Sequence, residues 1–224
     1  MKTTTLAVTL LLSANVAASD IPADFSDVGQ LIPDAQINMA YLGSDNFVGS
    51  QVDGYQANKC YLQQNAAQAL LKVQQAAMAK GYSLWIFDCY RPQRAVNHFM
   101  RWAADLADTR TKAQYYPNLA KDKLVGEYIA EKSGHSRGST IDLTLAKQDE
   151  QGNWRPIDMG SPFDMFDPVS NVGAAGISNQ QTANRQLLES LMLQGGFKVY
   201  SMEWWHFTHQ PPKYTEQYFD FVVK

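Results

Sequence analysis

Near the C-terminus, Glu203-Trp204-Trp205-His206 places a carboxylate three residues before an imidazole. Upstream, Ser133-Gly134-His135-Ser136-Arg137-Gly138-Ser139-Thr140-Ile141-Asp142 places an imidazole seven residues before a carboxylate. Together the segments offer two imidazoles, one carboxylate to act as a ligand and one to spare. Two His with one Asp or Glu is a set that suits Zn²⁺. Three protein ligands leave a fourth tetrahedral position open, which marks catalytic rather than structural zinc. The spare carboxylate, Glu203, is then a candidate general base. Each half has a plainer alternative. His135 lies among Gly, Ser and Arg and on its own reads first as a polar loop histidine. His206 lies between Trp205 and Phe207 and on its own reads first as a core histidine. For Glu203 the alternative is a solvated turn carboxylate. On a straight strand, residues three apart face opposite sides. Glu203 must therefore sit at a bend entering the strand if it is to share a cavity with His206. His209 precedes Pro211-Pro212 and is set aside as a ligand, and His98 lies in a helical stretch as a surface or packing residue.

The elements that must hold these groups are partly visible. Leu31 to Tyr41 reads as extended, with Ile37, Met39 and Tyr41 alternating with polar or small neighbours. Asn65 with Gln68 resembles a capping box for a helix running to Lys80, where Gly81 stops it. Ser83 to Phe87 is predicted as a buried strand. Pro92 starts a second helix through Arg101 toward Asp108, which sets Arg91 at a strand-to-helix junction. Ile141 to Leu145 is predicted as a strand coupled to His135 through a turn containing Gly138. Gln151 to Gln181, rich in Gly, Pro, Asp and Ser, reads as a covering loop that narrows the site. Asn184 is placed as the cap of a third helix ending at Gly195-Gly196. Phe197 to Tyr200 and Trp204 to Thr208 form a hairpin-like pair. Strands and helices mix rather than alternate, so the expected class is α+β: one domain, a central, mostly antiparallel sheet flanked by helices, and the metal site in a covered pocket.

The chain has 224 residues, a formal net charge of −3 and 45% hydrophobic residues, enough for a core. Basic residues form no stripe, so no nucleic-acid partner is expected. An anionic substrate must be caught by local groups such as Arg91, whose alternative role is a salt bridge to a nearby carboxylate such as Asp88. Residues 1–18 read as a signal peptide: a positive start at Met1-Lys2, an apolar run from Leu6 to Leu12, and small residues Val16-Ala17-Ala18 before a cut after Ala18. The domain is then 19–224. The residue after the cut is Ser19, not the Cys that lipid attachment needs, and no other segment is long and apolar enough to span a membrane. The expectation is an exported protein, periplasmic or secreted, with no membrane anchor after cleavage. In that compartment Cys60 and Cys89, the only cysteines, are expected to form a disulfide worth about 3 kcal/mol, the alternative being two buried thiols.

Beyond the site, Asn46-Phe47-Val48-Gly49, Val52-Asp53-Gly54-Tyr55, Asp88-Cys89-Tyr90-Arg91-Pro92, Gly160-Ser161-Pro162-Phe163-Asp164 and Tyr218-Phe219-Asp220-Phe221 follow in order. With the two site segments, this set resembles the zinc D-alanyl-D-alanine dipeptidases of the VanX type, from about Ile21 to the end of the chain. Arg137-Gly138-Ser139 and Tyr90-Arg91-Pro92 favour that branch over related D,D-carboxypeptidases. The resemblance implies one Zn²⁺ per chain, held by His135, Asp142 and His206. It implies Glu203 as base, Arg91 as the group stabilising the transition state, and Ser133 as receiver of the substrate carboxylate. Asp88 and Asp164 resemble acidic residues that shape the pocket, Asp164 being suited to the substrate ammonium. The implied reaction is hydrolysis of the free dipeptide D-Ala-D-Ala to D-alanine. Two rivals stand beside it: a zinc carboxypeptidase trimming longer peptidoglycan stems, which needs an open groove, and a non-catalytic wall-peptide-binding module, against which Glu203 and Arg91 speak. Cys89 and the N-terminal extension depart from the cytoplasmic resistance enzymes and point to another compartment.

Overall fold

The structure, a computed structural model, describes residues 21–224, and the expected signal peptide lies outside them. In chain order the elements are β1 (Phe25–Asp27), α1 (Val28–Leu31), β2 (Gln36–Ile37), β3 (Tyr61–Gln63), α2 (Gln64–Met78), β4 (Ser83–Asp88), α3 (Gln93–Ala104), α4 (Lys112–Tyr115), β5 (Thr140–Gln148), β6 (Trp154–Pro156), α5 (Asn179–Gln194), β7 (Phe197–Tyr200) and β8 (Glu203–His209). The main sheet runs β2-β4-β5-β8-β7, with β6 paired to β5, and β1 and β3 form a separate ribbon. Within this sheet β2 and β4 are parallel, while β4–β5, β5–β6, β5–β8 and β7–β8 are antiparallel. The architecture is the expected α+β domain with a mostly antiparallel sheet flanked by helices.

β5 shows how the sequence makes this sheet. Ile141, Leu143 and Leu145 are fully buried and alternate with Asp142 and Thr144, so the two sets point to opposite faces. Cross-strand pairing sets Leu143 opposite Ile86, Leu145 opposite Leu84 and Ile141 opposite Phe207, an apolar face beneath α2 and α5. The other face carries Asp142. It lies under α3 and an aromatic cluster in which the Phe47 and Phe99 rings are 4.7 Å apart and the Phe47 and Trp102 rings 5.1 Å.

Several boundaries differ from the sequence expectations. Leu31 to Tyr41 is not one strand: Leu31 closes α1, only Gln36–Ile37 pairs, and Ala40–Leu42 is a 3₁₀ turn. The alternation there reflected a wandering chain whose Met39 and Tyr41 are both buried. Asn65 does not cap α2; the cap is Gln63, with no side-chain bond, because β3 runs directly into the helix. Asn184 lies inside α5, where its amide donates to the Asp158 carbonyl at 2.7 Å. The cap is Ser178, in a full capping box with Gln181. α3 ends at Ala104 rather than Asp108.

Cys60 and Cys89 are bonded, with Cα atoms 5.3 Å apart, linking the residue before β3 to the residue after β4. Closing a loop of this size contributes about 3 kcal/mol. At about 2–4 °C per kcal/mol for a chain of this size, a Cys60→Ala/Cys89→Ala variant is expected to melt about 6–12 °C lower than the bridged protein by calorimetry. An unchanged melting temperature contradicts a stabilising bridge.

Candidate active site

The sheet register assembles the site. Asp88 on β4 lies opposite Asp142 on β5, and Asp142 lies opposite His206 on β8, so three polar residues form one row across three strands. His135 comes from the 3₁₀ turn Gly134–Arg137 that leads into β5. Gly138, at φ 80°, closes that turn, and a Cβ there would lie 2.3 Å from the Phe25 ring, so the turn requires glycine. Glu203 reaches the same cavity because β8 is irregular where it begins. Val199 pairs with Phe207, yet the next residue, Tyr200, pairs with Glu203. The extra residues on β8 make the bend that the spacing of Glu203 and His206 demanded.

His135 Nε2 lies 3.2 Å from Asp142 Oδ2 and 3.3 Å from His206 Nδ1. His206 Nδ1 lies 3.1 Å from Asp142 Oδ1 and 3.4 Å from Glu203 Oε2. Donors held at about 2.0–2.1 Å from one tetrahedral ion are roughly 3.3 Å from each other, so the spacings suit a single small cation. The tautomer agrees. His135 Nδ1 is 2.7 Å from the Cys89 carbonyl, an acceptor only, so its proton sits on Nδ1 and the Nε2 lone pair faces the cluster. Asp142 Oδ1 is buried and, although His206 Nδ1 lies 3.1 Å away, that contact is not aligned as a hydrogen bond. Charge agrees as well. Asp88, Asp142, Asp164 and Glu203 are all buried around one guanidinium, Arg91. Burial pushes the Glu203 carboxyl up to about 7, with His206 pulling against it. Burial and the Asp142 charge raise Asp164 far above its usual range. Burial also opposes ionisation of Asp142, but the His135 and His206 imidazoles outweigh it and hold that carboxyl well below its usual range. Burial makes most of these acids costly to ionise, and a divalent cation would offset that cost.

Arg91 makes the salt bridge to Asp88 and also faces the cavity. Its Nε donates to Asp88 Oδ2 at 2.9 Å and its Nη2 reaches Asp142 Oδ2 at 3.3 Å, while the guanidinium lies 5.1 Å from the Tyr41 and Phe99 ring centres and lines the cavity. Asp88 is not among the lining residues. It is fully buried behind Arg91 and accepts from Tyr55 Oη at 2.6 Å, so it supports the pocket from beneath rather than shaping its wall. Asp164 does line the cavity; it adopts φ 62° and accepts from Tyr41 Oη at 2.9 Å. Ser133 lines the rim and caps the His135 turn, its Oγ accepting from His135 N at 3.2 Å. Arg137 is turned away, donating to the Thr215 carbonyl at 3.1 Å. His209 packs against Phe197 at 5.2 Å between ring centres, at the other end of β8.

The cavity has a volume of about 280 Å³, at the small end for ligand sites. The segment Gln151 to Gln181 contributes only Asp164 and Phe166 to its walls. The larger cover is a strap running from Gly126 to Gly134, missed in the sequence, which is joined to β7 by Tyr200 Oη donating to the Glu127 carbonyl at 3.0 Å. The supporting tyrosines Tyr41 and Tyr55 were missed too. A buried phenol bonded to a carboxylate leaves no periodic mark.

A protein-family profile described as D-ala-D-ala dipeptidase matches residues 22–224. The chain is 42% identical over 201 residues to a D-alanyl-D-alanine dipeptidase of Enterococcus faecium, covering 89% of this chain and 98% of the relative. It is 44% identical over 184 residues to one from Enterococcus faecalis, covering 82% and 90%. To one from Streptomyces coelicolor it is 39% identical over 201 residues, covering 89% and 98%.

Proposed function

The chain belongs to the D-Ala-D-Ala dipeptidase family of peptidases, and from that membership and the site's geometry we propose how it hydrolyses D-Ala-D-Ala to D-alanine. The observation that carries the reading is the convergence of His135 Nε2, His206 Nδ1 and the Asp142 carboxylate at 3.1–3.3 Å. Glu203 stands 3.4 Å from His206 Nδ1. His135, Asp142 and His206 hold one Zn²⁺ per chain. When bound, zinc supplies Lewis acidity, polarising the scissile carbonyl and acidifying water. Glu203 takes the proton of the attacking water and returns it to the leaving amine; a carboxyl raised toward neutrality by burial is suited to both transfers. Asp88, Tyr41 and Phe99 hold Arg91 beside Asp142, where its guanidinium stabilises negative charge on the reacting carbonyl. Asp164 receives the substrate ammonium and Ser133, at the rim, the carboxylate. The strap held by Tyr200 closes a cavity sized for a dipeptide, where a carboxypeptidase of longer stems needs an open groove.

Arg91→Ala is expected to retain zinc and lose about 10²–10³ in turnover. It should also melt lower, because Asp88 is left as a buried charge without its cation. Metal analysis, turnover and calorimetry on one preparation check this. Near-normal turnover contradicts the assigned role.

We also propose that residues 1–18 are a signal peptide and that the mature chain works outside the cytoplasm. The apolar leader, the cut after Ala18 and the Cys60–Cys89 bridge support this. Among the described residues no helix is long and apolar enough to cross a membrane. An exported enzyme would meet D-Ala-D-Ala as a wall-derived product.

The testing experiment offers D-Ala-D-Ala, L-Ala-L-Ala and a pentapeptide stem in parallel to the zinc-loaded protein. Release of D-alanine from the D,D-dipeptide well ahead of the others is expected. Preference for the pentapeptide favours the carboxypeptidase reading instead.

A further inference from the structure

The Cys60–Cys89 bridge adjoins the metal site through one peptide group. The Cys89 carbonyl accepts the His135 Nδ1 proton at 2.7 Å. On the other edge of the same peptide plane, the Tyr90 N–H donates to the Tyr61 carbonyl at 2.9 Å. A planar peptide fixes these two directions relative to each other. The plane therefore has two ties to neighbouring residues: the bridge from Cys89 to Cys60, and the hydrogen bond from Tyr90 to Tyr61. The same short strand also grips the turn that carries His135. Gln63 N donates to the Gly138 carbonyl at 2.8 Å, the Gln63 side chain bonds the Arg137 carbonyl, and Ser139 Oγ donates to Gln63 Oε1 at 3.0 Å. β3 with Cys60 before it is thus a common anchor for His135's turn and for the carbonyl that sets its ring.

We propose that the Cys60–Cys89 disulfide is a positioning device for the metal centre, fixing the Cys89 carbonyl so that His135 presents Nε2 to the metal, and that breaking it weakens metal binding in the folded protein. The inference rests on the proposed zinc site. Partners that orient a ligating histidine are typically worth 10–100-fold in metal affinity. Here the partner is loosened rather than removed, because the Tyr90–Tyr61 bond remains. The expected loss is thus about tenfold, the lower end of that range. A site built this way responds to thiol reductants: it holds metal best where the bridge persists.

The test compares zinc-loaded wild type with Cys60→Ala/Cys89→Ala, a pair that leaves no thiol to bind metal elsewhere. Each competes with a chromophoric chelator at a temperature where circular dichroism shows it folded. The control is Val73→Ala. Val73 is buried on α2, beside Gly195 at the end of α5 and away from the site, so the substitution lowers stability without touching the anchor. The Zn²⁺ dissociation constant is expected to rise about tenfold in the cysteine pair and to stay within twofold of wild type in Val73→Ala. A cysteine pair within twofold of wild type overturns the proposal, because the Tyr90 bond alone then suffices. A rise in Val73→Ala equal to that of the cysteine pair overturns it too, as the effect is then general loosening. If the pair does not fold, Zn²⁺ release from wild type into excess chelator is timed before and after phosphine reduction, over the interval in which circular dichroism shows the reduced protein still folded. Faster release supports the link and an unchanged rate contradicts it. Wild type that takes up no stoichiometric zinc refutes the metal site itself, a result distinct from unchanged affinity in the variant.

Discussion

Glu203→Gln is expected to keep its metal and to lower D-Ala-D-Ala turnover by about 10²–10⁴-fold, the usual worth of a positioned general base. The substitution preserves shape and burial and removes only proton affinity. Glu203 touches the proposed ligand set through His206 Nδ1 at 3.4 Å, while Asp142 lies closer to that nitrogen, at 3.1 Å. In the proposed reading it is therefore the buried acid beside the cluster that carries protons. Metal content and turnover on one preparation separate the roles. Loss of zinc makes Glu203 a ligand, and near-normal turnover makes it a bystander.

Asp142→Ala, His135→Ala and His206→Ala are each expected to lose metal and activity together. Asp142 has the largest expected effect of the three. It is central to the row across β4, β5 and β8, is within 3.3 Å of both imidazoles and of Arg91, and is almost wholly buried. Its removal would take one of the three proposed ligands and leave the Arg91 guanidinium with Asp88 as its remaining carboxylate partner. Metal analysis after dialysis against a weak chelator is the check, and a variant that keeps stoichiometric zinc does not bear a ligand. Chelation of wild type is likewise expected to abolish hydrolysis. Full activity in a metal-free sample contradicts a metal-dependent mechanism.

How much of this was legible in the sequence depended on how local the signal was. The strands carrying Asp88 and Asp142 announce themselves through Leu84, Ile86, Leu143 and Leu145, whose burial on one face is a short-range pattern. The bend at Glu203 followed from parity alone: residues three apart share a cavity only if the strand is irregular between them, and the register slip at Val199 and Tyr200 supplies it. Caps were less legible. Ser178 with Gln181 has the same form as the pairing expected at Asn65 and Gln68. What decides between them is that β3 enters α2 without a loop, a tertiary fact. The strap from Gly126 to Gly134 and the buried hydroxyls of Tyr41 and Tyr55 left no trace, because their partners, the Glu127 carbonyl, Asp164 and Asp88, are distant in sequence and single contacts have no period. Asp88 shows the limit of a motif. Its place beside Arg91 was visible, but its burial behind the guanidinium rather than in the wall depends on Tyr55 and on the slip between Ile86 and Asp88.

The most direct test of the account is an anomalous difference map at the zinc edge from crystals of the protein purified without added chelator. The expected result is one peak per chain within about 2.0–2.2 Å of His135 Nε2, His206 Nδ1 and an Asp142 oxygen, with Glu203 outside bonding distance. A peak elsewhere, a peak ligated by Glu203 in place of Asp142, or no peak in protein that still cleaves D-Ala-D-Ala contradicts it.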